Sequence, residues 1–304
     1  MNRTDFDKLI ASLRKEHEDE DGTLWTQERL AQEAKLAAGT QLFTKDVISS
    51  IERGRREPDG RTLLALADAL QLTSGERREF FLAAAGVEND KIARQDYGPA
   101  RVLSQLMERI GETRLPAHIV DSYCDIIAVN AALVELLEFE SAGLGVGIQL
   151  GKRFHNNMIR FSFSDEGASH FEERMRESWP EYAYTAMMIL RAFTLPYRST
   201  KYFQALLREL KGSRQFRRHW REIYFYERDH IINNPDMRWY SPKWGPLRFL
   251  TAVHTAVTTA GDLHLCVYVP ASVETAAVFS QLVDKTGPAN TVCLGPSWPK
   301  KTVR

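Results

Sequence analysis

The sequence predicts an all-α N-terminal domain followed by an α+β C-terminal domain. Three observations carry that reading. The chain's 304 residues are about twice the length of a typical domain. Apolar residues recur at three- and four-residue steps through residues 1–86, with no longer strand-like alternation. Beyond residue 100, short alternating stretches appear between the helical ones.

In order, Phe6, Leu9, Ile10 and Leu13 form the apolar face of a first helix. Thr26 is placed to cap a second, with Leu30, Ala31 and Ala34 at helical spacing. Val47, Ile48 and Ile51 mark a third, and Gly54 suits the left-handed position just past its end. Pro58-Asp59 opens a fourth with Leu63, Leu66, Ala67 and Leu70. Thr73 or Ser74 caps a fifth, which runs through Phe80, Phe81 and Leu82 to Gly86. The polar stretch 87–99, ending in Gly-Pro, reads as a linker. A helix face at Val102, Leu103, Leu106 and Ile110 precedes a hairpin, His118–Val120 with Asp125–Asn130 about Asp121-Ser122. A helix at Ala131–Phe139 and a glycine-rich loop, Gly143–Gly147, come next. Long helices are expected near 168–193 and 199–222, then strands at Leu247–Thr258 and Leu263–Val269 and a helix at Val273–Val283. The expected domains are thus 1–86 and 100–284, with a polar tail at 285–304.

Composition narrows the class. Hydrophobic residues at 43% and charged residues at 26% exclude a wholly disordered or collagen-like chain. No apolar run approaches the eighteen or so residues of a spanning helix, and the first residues lack a signal-peptide core. Cys124, Cys266 and Cys293 lie far apart with no CxxC pair, which favours a reducing cytoplasm, and the missing apolar run argues against a membrane partner. Forty basic residues balance forty acidic ones; residues 1–86 alone hold 13 Lys and Arg against 16 Asp and Glu. Nucleic-acid contact in this half would therefore come from local placement of cations.

Such a placement exists at Ile48-Ser49-Ser50-Ile51-Glu52-Arg53-Gly54-Arg55-Arg56-Glu57-Pro58. With Trp25-Thr26-Gln27-Glu28-Arg29-Leu30-Ala31 before it and Leu63–Leu70 after it, the run resembles the Xre/Cro-like helix-turn-helix family over about residues 5–85. The resemblance implies a third helix entering the major groove of double-stranded DNA. With Val47, Ile48 and Ile51 facing inward, Thr44, Lys45, Asp46, Ser49 and Ser50 are left for the groove. By similarity, Lys45, Asp46 and Ser50 align with base-contacting positions, and Gln27 with a phosphate or base contact. Arg53, Arg55 and Arg56 fall where phosphates would pass, while Arg14 and Glu52 align with an ion pair inside the family's core. Two departures stand out: a longer turn from Leu36 to Thr44, and the acidic run Glu16–Asp21, which must point away from phosphate.

In the second half, Leu115–Val120, Asp125–Asn130, Asn157–Phe161, Phe216–Trp220 and Gly245–Phe249 are similar in order and spacing to the MmyB-like ligand-binding domain, PAS-like in fold. Val129 stands where that family usually has Trp. The resemblance implies an apolar cavity. The candidates to line it are Tyr123, Met158, Phe161, Phe163, Trp179, Tyr182, Met187, Met188, Phe193, Trp220 and Tyr224, with Asn130, Arg191 and His254 as candidate polar anchors. A small lipophilic ligand such as a fatty acid fits this list, since each buried methylene contributes about 0.8 kcal/mol. Basic residues across 198–228 read as the wet face of amphipathic helices.

Catalytic motifs are absent or spoiled. Gly145–Arg153 lacks the register and hydroxyl of a phosphate loop, and the histidines stand singly, without metal-ligand spacing. The sequence thus predicts a cytoplasmic, ligand-sensing DNA-binding regulator, not an enzyme, without metal or cofactor. It is expected to work as a homodimer, since one module makes few base contacts. The alternatives left open are a protein-interaction adaptor whose helical domain does not bind DNA, and a lipid-handling enzyme.

Overall fold

The computed structural model describes residues 5–86, 98–138, 156–223, 236–287, 291–293 and 298. The chain divides into two compact units, one of residues 2–88 with 191–205, the other of 89–190 with 206–304.

The first unit contains α1 (Phe6–Arg14), α2 (Gln27–Ala38), α3 (Lys45–Glu52), α4 (Gly60–Ala69) and α5 (Ser74–Ala84). Thr26, Thr44, Asp59 and Thr73 each accept a hydrogen bond from the third helical amide of α2, α3, α4 and α5. Each such cap contributes about 1 kcal/mol. Gly54 adopts φ +65°, and the Gly54 and Arg55 amides reach back to the carbonyls of Ile51 and Ser50, both at 2.9 Å. That pair of bonds closes the end of α3. The core joins Leu9, Ile10 and Leu13 of α1 to Leu30, Ala34, Ile48, Ile51, Leu66, Leu70 and Phe80.

Residues 191–205 cluster with these helices, although the sequence places them inside the 100–284 domain. They are the end of one helix (Trp179–Thr194), a 3₁₀ turn (Leu195–Tyr197) and the start of another helix (Lys201–Leu210). The physical reason lies in their partners. Leu195 is fully buried in the helical core. Arg191 binds both carboxylate oxygens of Glu76 at 2.8–3.0 Å, and Arg198 bonds Glu76 at 3.0 Å and Glu16. The acidic run is accordingly drawn into internal pairing. Besides Glu16, Asp19 meets Arg29 at 3.1 Å, and His17 stacks on Trp25 with centroids 4.4 Å apart.

The second unit is built on a six-stranded sheet, ordered β3-β4-β5-β1-β2-β6, in which every neighbouring pair is antiparallel. The strands are β1 (Ala117–Asp121), β2 (Ile126–Asn130), β3 (Met237–Ser241), β4 (Gly245–Ala256), β5 (Leu263–Pro270) and β6 (Thr291–Cys293). Its helices are α6 (Pro99–Glu112), α7 (Ala131–Leu137), α8 (Met158–Phe163), α9 (Asp165–Met175), most of α10 (Trp179–Thr194), the second half of α11 (Lys201–Leu210), α12 (Arg214–Glu222) and α13 (Val273–Thr286). β1 and β2 are buried along their whole length, as central strands covered on both faces. Successive side chains alternate faces. Ile119, Leu263 and Leu265 pack with Val102, Leu106 and Ile110 of α6. His118, Phe249 and Tyr268 turn toward a cavity instead.

The predicted hairpin forms, with His118 opposite Val129. The single helix expected at 168–193 is instead α9, a 3₁₀ turn at Arg176–Ser178 and α10, with Arg176 at φ +50° at the break. α8, β3 and β6 carry no signal that periodicity alone detects, and β6 lies within the expected polar tail. The glycine-rich loop lies outside the described residues. On α12, Phe216 and Trp220 are buried while Arg214, Arg217, Arg218 and Arg221 are exposed, a wet face. No helix among the described residues is long and apolar enough to cross a membrane.

Candidate functional site

In the helical unit, α3 docks through Ile48 and Ile51, both buried, with Val47 packed at the margin. Helical spacing then fixes what faces out. Thr44, Lys45 and Asp46 are exposed, and Ser49 and Ser50 are half-buried. Arg53, Arg55 and Arg56 follow on the exposed turn after the helix. Among the described residues, none of Lys45, Arg53, Arg55 and Arg56 is engaged in an ion pair, so this edge is cationic although the unit as a whole is not. Thr44 also serves as the N-cap of α3, its oxygen accepting the Val47 amide at 3.3 Å.

A buried clamp holds the edge from behind. Arg14 donates to Glu52 at 2.7 and 3.0 Å and to the Trp25 carbonyl at 2.5 Å. Gln27 donates to Glu52 at 2.7 Å. The amide nitrogen of Gln27 is therefore part of the link between α2 and α3. Any DNA contact by Gln27 falls to its oxygen, its second amide hydrogen or an alternative rotamer. The longer α2–α3 turn is seated by Phe43, which is buried, while Leu36 and Leu42 on either side are exposed.

The sheet unit holds a cavity enclosing about 570 Å³ of empty space, part of it open to solvent. Its wall is Ile126, Val129, Leu133, Leu137, Met158, Phe161, Phe171, Met175, Met237, Trp239, Phe249 and Tyr268, with three polar members, His118, Ser162 and Tyr182. Ser162 donates to the Met158 carbonyl at 3.1 Å and lies 2.7 Å from the Tyr182 hydroxyl. A hydroxyl has one proton, so Tyr182 donates to Ser162 and its own lone pair stays open. Burial pushes the Tyr182 phenol up to about 12 and the His118 imidazole down to about 4. Both are neutral at physiological pH. No Lys, Arg, Asp or Glu is among the described residues of the wall. What the arrangement can do is dissolve an apolar body and offer it a few uncharged hydrogen-bonding groups.

Of the residues the sequence put forward, Met158, Phe161 and Tyr182 come together in this wall. The others have different duties. Tyr123 is buried in the β1–β2 turn, where its carbonyl accepts from Asn157 at 2.8 Å. Phe163 and Trp179 pack on each other with centroids 5.6 Å apart, and Trp220 stacks on Phe216 at 5.4 Å. Met187 is buried and Met188 half-buried, neither in the wall. Phe193 belongs to the helical unit, and Tyr224 lies outside the described residues.

The three anchors are corrected. Asn130 caps α7, accepting from Leu133 and Ala117 at 3.1 and 3.0 Å and donating to Leu115 at 2.7 Å. Arg191 belongs to the helical unit, where it is locked on Glu76, and His254 is exposed on β4. Missed altogether were His118, Trp239 and Tyr268. Their signal is weak, because a strand residue's facing depends on which sheet side the helices cover. Val129, noted as a departure from Trp, lies in the wall, where the smaller side chain leaves volume free.

Comparison with known proteins agrees with this division. A family model for the MmyB-like transcription regulator ligand binding domain matches residues 100–282, and one for a helix-turn-helix matches residues 24–76. A search of curated proteins returned no match. The first match spans more than half of the chain, from α6 into α13, and takes in every wall residue of the cavity. With a DNA-binding helical motif ahead of it and a ligand-binding fold behind, this chain belongs to the MmyB-like transcription regulator family.

Proposed function

We propose that the protein binds operator DNA through Thr44, Lys45, Asp46, Ser49 and Ser50 in the major groove. Arg53, Arg55 and Arg56 would lie on flanking phosphates, with Gln27 at the edge of the same surface. Its second unit would sense a small lipophile, a fatty acid being the simplest candidate, and bias DNA affinity accordingly. Two copies would act together on paired half-sites in the cytoplasm, because one recognition helix reads few bases. No step of this reading calls for catalysis. One observation carries the reading: the polar edge of α3 faces outward and is followed by arginines that form no ion pair among the described residues, while its apolar side is sealed in the core.

The test is a fluorescence-anisotropy titration of a labelled mixed-sequence duplex over a salt series. Affinity should fall steeply with salt, and Arg55→Ala should reduce the log–log slope by about 0.9, one phosphate's share. A slope unchanged by that substitution refutes the phosphate assignment. For the ligand, native mass spectrometry of the purified protein should show an added mass that organic solvent extracts. A protein with no such adduct that also takes up no added lipophile contradicts the sensing half.

A further inference from the structure

Resting on the sensing role just proposed, we infer that His118 and Tyr268 anchor the oxygen-bearing end of the lipophile, and that a fatty acid binds there with one proton taken from solvent. β1 and β5 are hydrogen-bonded neighbours, and His118 lies opposite Cys266. Side chains alternate along a strand, so Tyr268 is the next residue of β5 on the same side of the sheet. Diagonal neighbours of this kind are within reach of long side chains. The two rings lie 5.7 Å apart, centroid to centroid, and both residues belong to the cavity wall.

The pair has hydrogen bonds to give. His118 is 4% exposed, and both its ring nitrogens are buried without a hydrogen-bond partner among the described residues. Buried polar atoms are nearly always paired in folded proteins, so a bare imidazole in a cavity wall marks where a ligand's polar atom sits. Burial, with Tyr182 and Cys266 adding to it, pushes the Tyr268 phenol well above its ordinary value. Tyr268 therefore keeps a proton to donate, while a neutral imidazole donates at one nitrogen and accepts at the other. The oxygen of a hydroxyl or carboxyl group can meet both.

The surroundings decide the charge. From β5, Cys266 is pushed up to about 12 and His264 down to about 4, both by burial. From α10, Tyr182 is pushed up to about 12, and from α9, His170 is held downward. Each of these is neutral at physiological pH. Asp125, in the turn between β1 and β2, is bonded by Asn157 at 2.8 Å, and Arg174 and Glu138 pair with each other at 3.2 Å. Burial alone sets the His118 imidazole at about 4, with no neighbouring charge to offset it. A carboxylate would thus enter without a cation to meet it, which burial disfavours. One proton from solvent, held between carboxyl and imidazole, removes that charge. An alcohol needs none.

The experiment displaces the neutral fluorophore N-phenyl-1-naphthylamine from the full-length protein with 1-decanol, 1-chlorodecane and decanoate. Chlorodecane has the chain of decanol without its hydroxyl. The ratio of their affinities should shift about fivefold against decanol in Tyr268→Phe, one hydrogen bond's worth. His118→Leu should shift it in the same direction. Decanoate should bind about 100-fold less well at pH 8 than at pH 6, a tenfold loss per unit for one proton taken up. Decanol should bind equally at the two values. A ratio that neither substitution moves overturns the inference, since the ligand's oxygen would then sit elsewhere. So does decanoate that binds equally at both values. The pH comparison needs no variant, so misfolding cannot obscure it. If the fluorophore and all three lipophiles fail to bind, the sensing role falls and this inference with it; binding without these differences removes the inference alone.

Discussion

Replacing Glu76 by Gln should loosen the helical unit more than any other single isosteric change. Glu76 is fully buried and accepts from both Arg191 and Arg198, from the Thr73 amide at 3.0 Å and from the Thr73 hydroxyl at 3.0 Å. Gln is the same size, so packing survives, but it offers one acceptor oxygen and no charge. Two guanidiniums, 1% and 0% exposed, would lose the carboxylate they share. Removing one partner of a buried pair costs about 3–5 kcal/mol, and the shared position of Glu76 puts the expectation near the upper end.

The flanking arginines hold the Glu76 carboxyl below its ordinary range, outweighing the opposing effect of burial. A lowered folded-state pKa means that this stabilisation is complete above the unfolded value, near 4.3. It is lost as pH falls through the lower folded value. Hydrogen–deuterium exchange of α5 peptides in the full chain reads the effect locally. Protection in Glu76→Gln should drop by about three orders of magnitude near neutral pH, which is about 4 kcal/mol at 1.36 kcal/mol per tenfold. The double variant Glu76→Gln, Arg191→Met should lose less than the sum of the two single changes. A Glu76→Gln protein within about 1 kcal/mol of the parent, the cost of an ordinary point substitution, would refute the case for a cooperative charge cluster.

Gly54→Ala should cost about 1–2 kcal/mol, because the position holds φ +65°. The nearest atom to an added Cβ, an Asp7 oxygen at 3.7 Å, leaves room, so thermal unfolding of this variant isolates backbone strain. Asn157→Ala removes the cap of α8 and two buried hydrogen bonds, to the Tyr123 carbonyl and the Asp125 carboxylate, each at 2.8 Å. Urea titration should show a loss of about 2–4 kcal/mol, a cap plus two buried hydrogen bonds. Cys266, with its thiol pushed up to about 12, should resist alkylation by iodoacetamide at pH 8 in the folded protein and react once urea is added. Rapid labelling of folded protein, read by peptide mass, would contradict its burial on β5.

The helical half was legible because its signals are local. Thr26, Thr73 and Gly54 act within one turn of chain, so caps and stops read directly from residue type and spacing. The Arg14–Glu52 clamp came from family resemblance, since nothing in spacing joins residues 38 apart. The cavity was far less legible. Aromatic and Met residues were chosen for their oily character, and several of them pack elsewhere in the core instead, as Phe163 does against Trp179 and Phe216.

Sequence alone determined the α then α+β order, the inward side of each N-terminal helix and the cationic turn at Arg53–Arg56. Periodicity and cap chemistry are properties of neighbours along the chain, and they hold wherever the helix finally sits. Only the tertiary structure decided that Arg191 and Arg198 pair with Glu76. It alone set His118 and Trp239 in one wall from strands more than a hundred residues apart. Whether a cation is a wet-face charge, a ligand anchor or a buried strut depends on what the fold brings opposite it, and that is a property of space rather than of spacing.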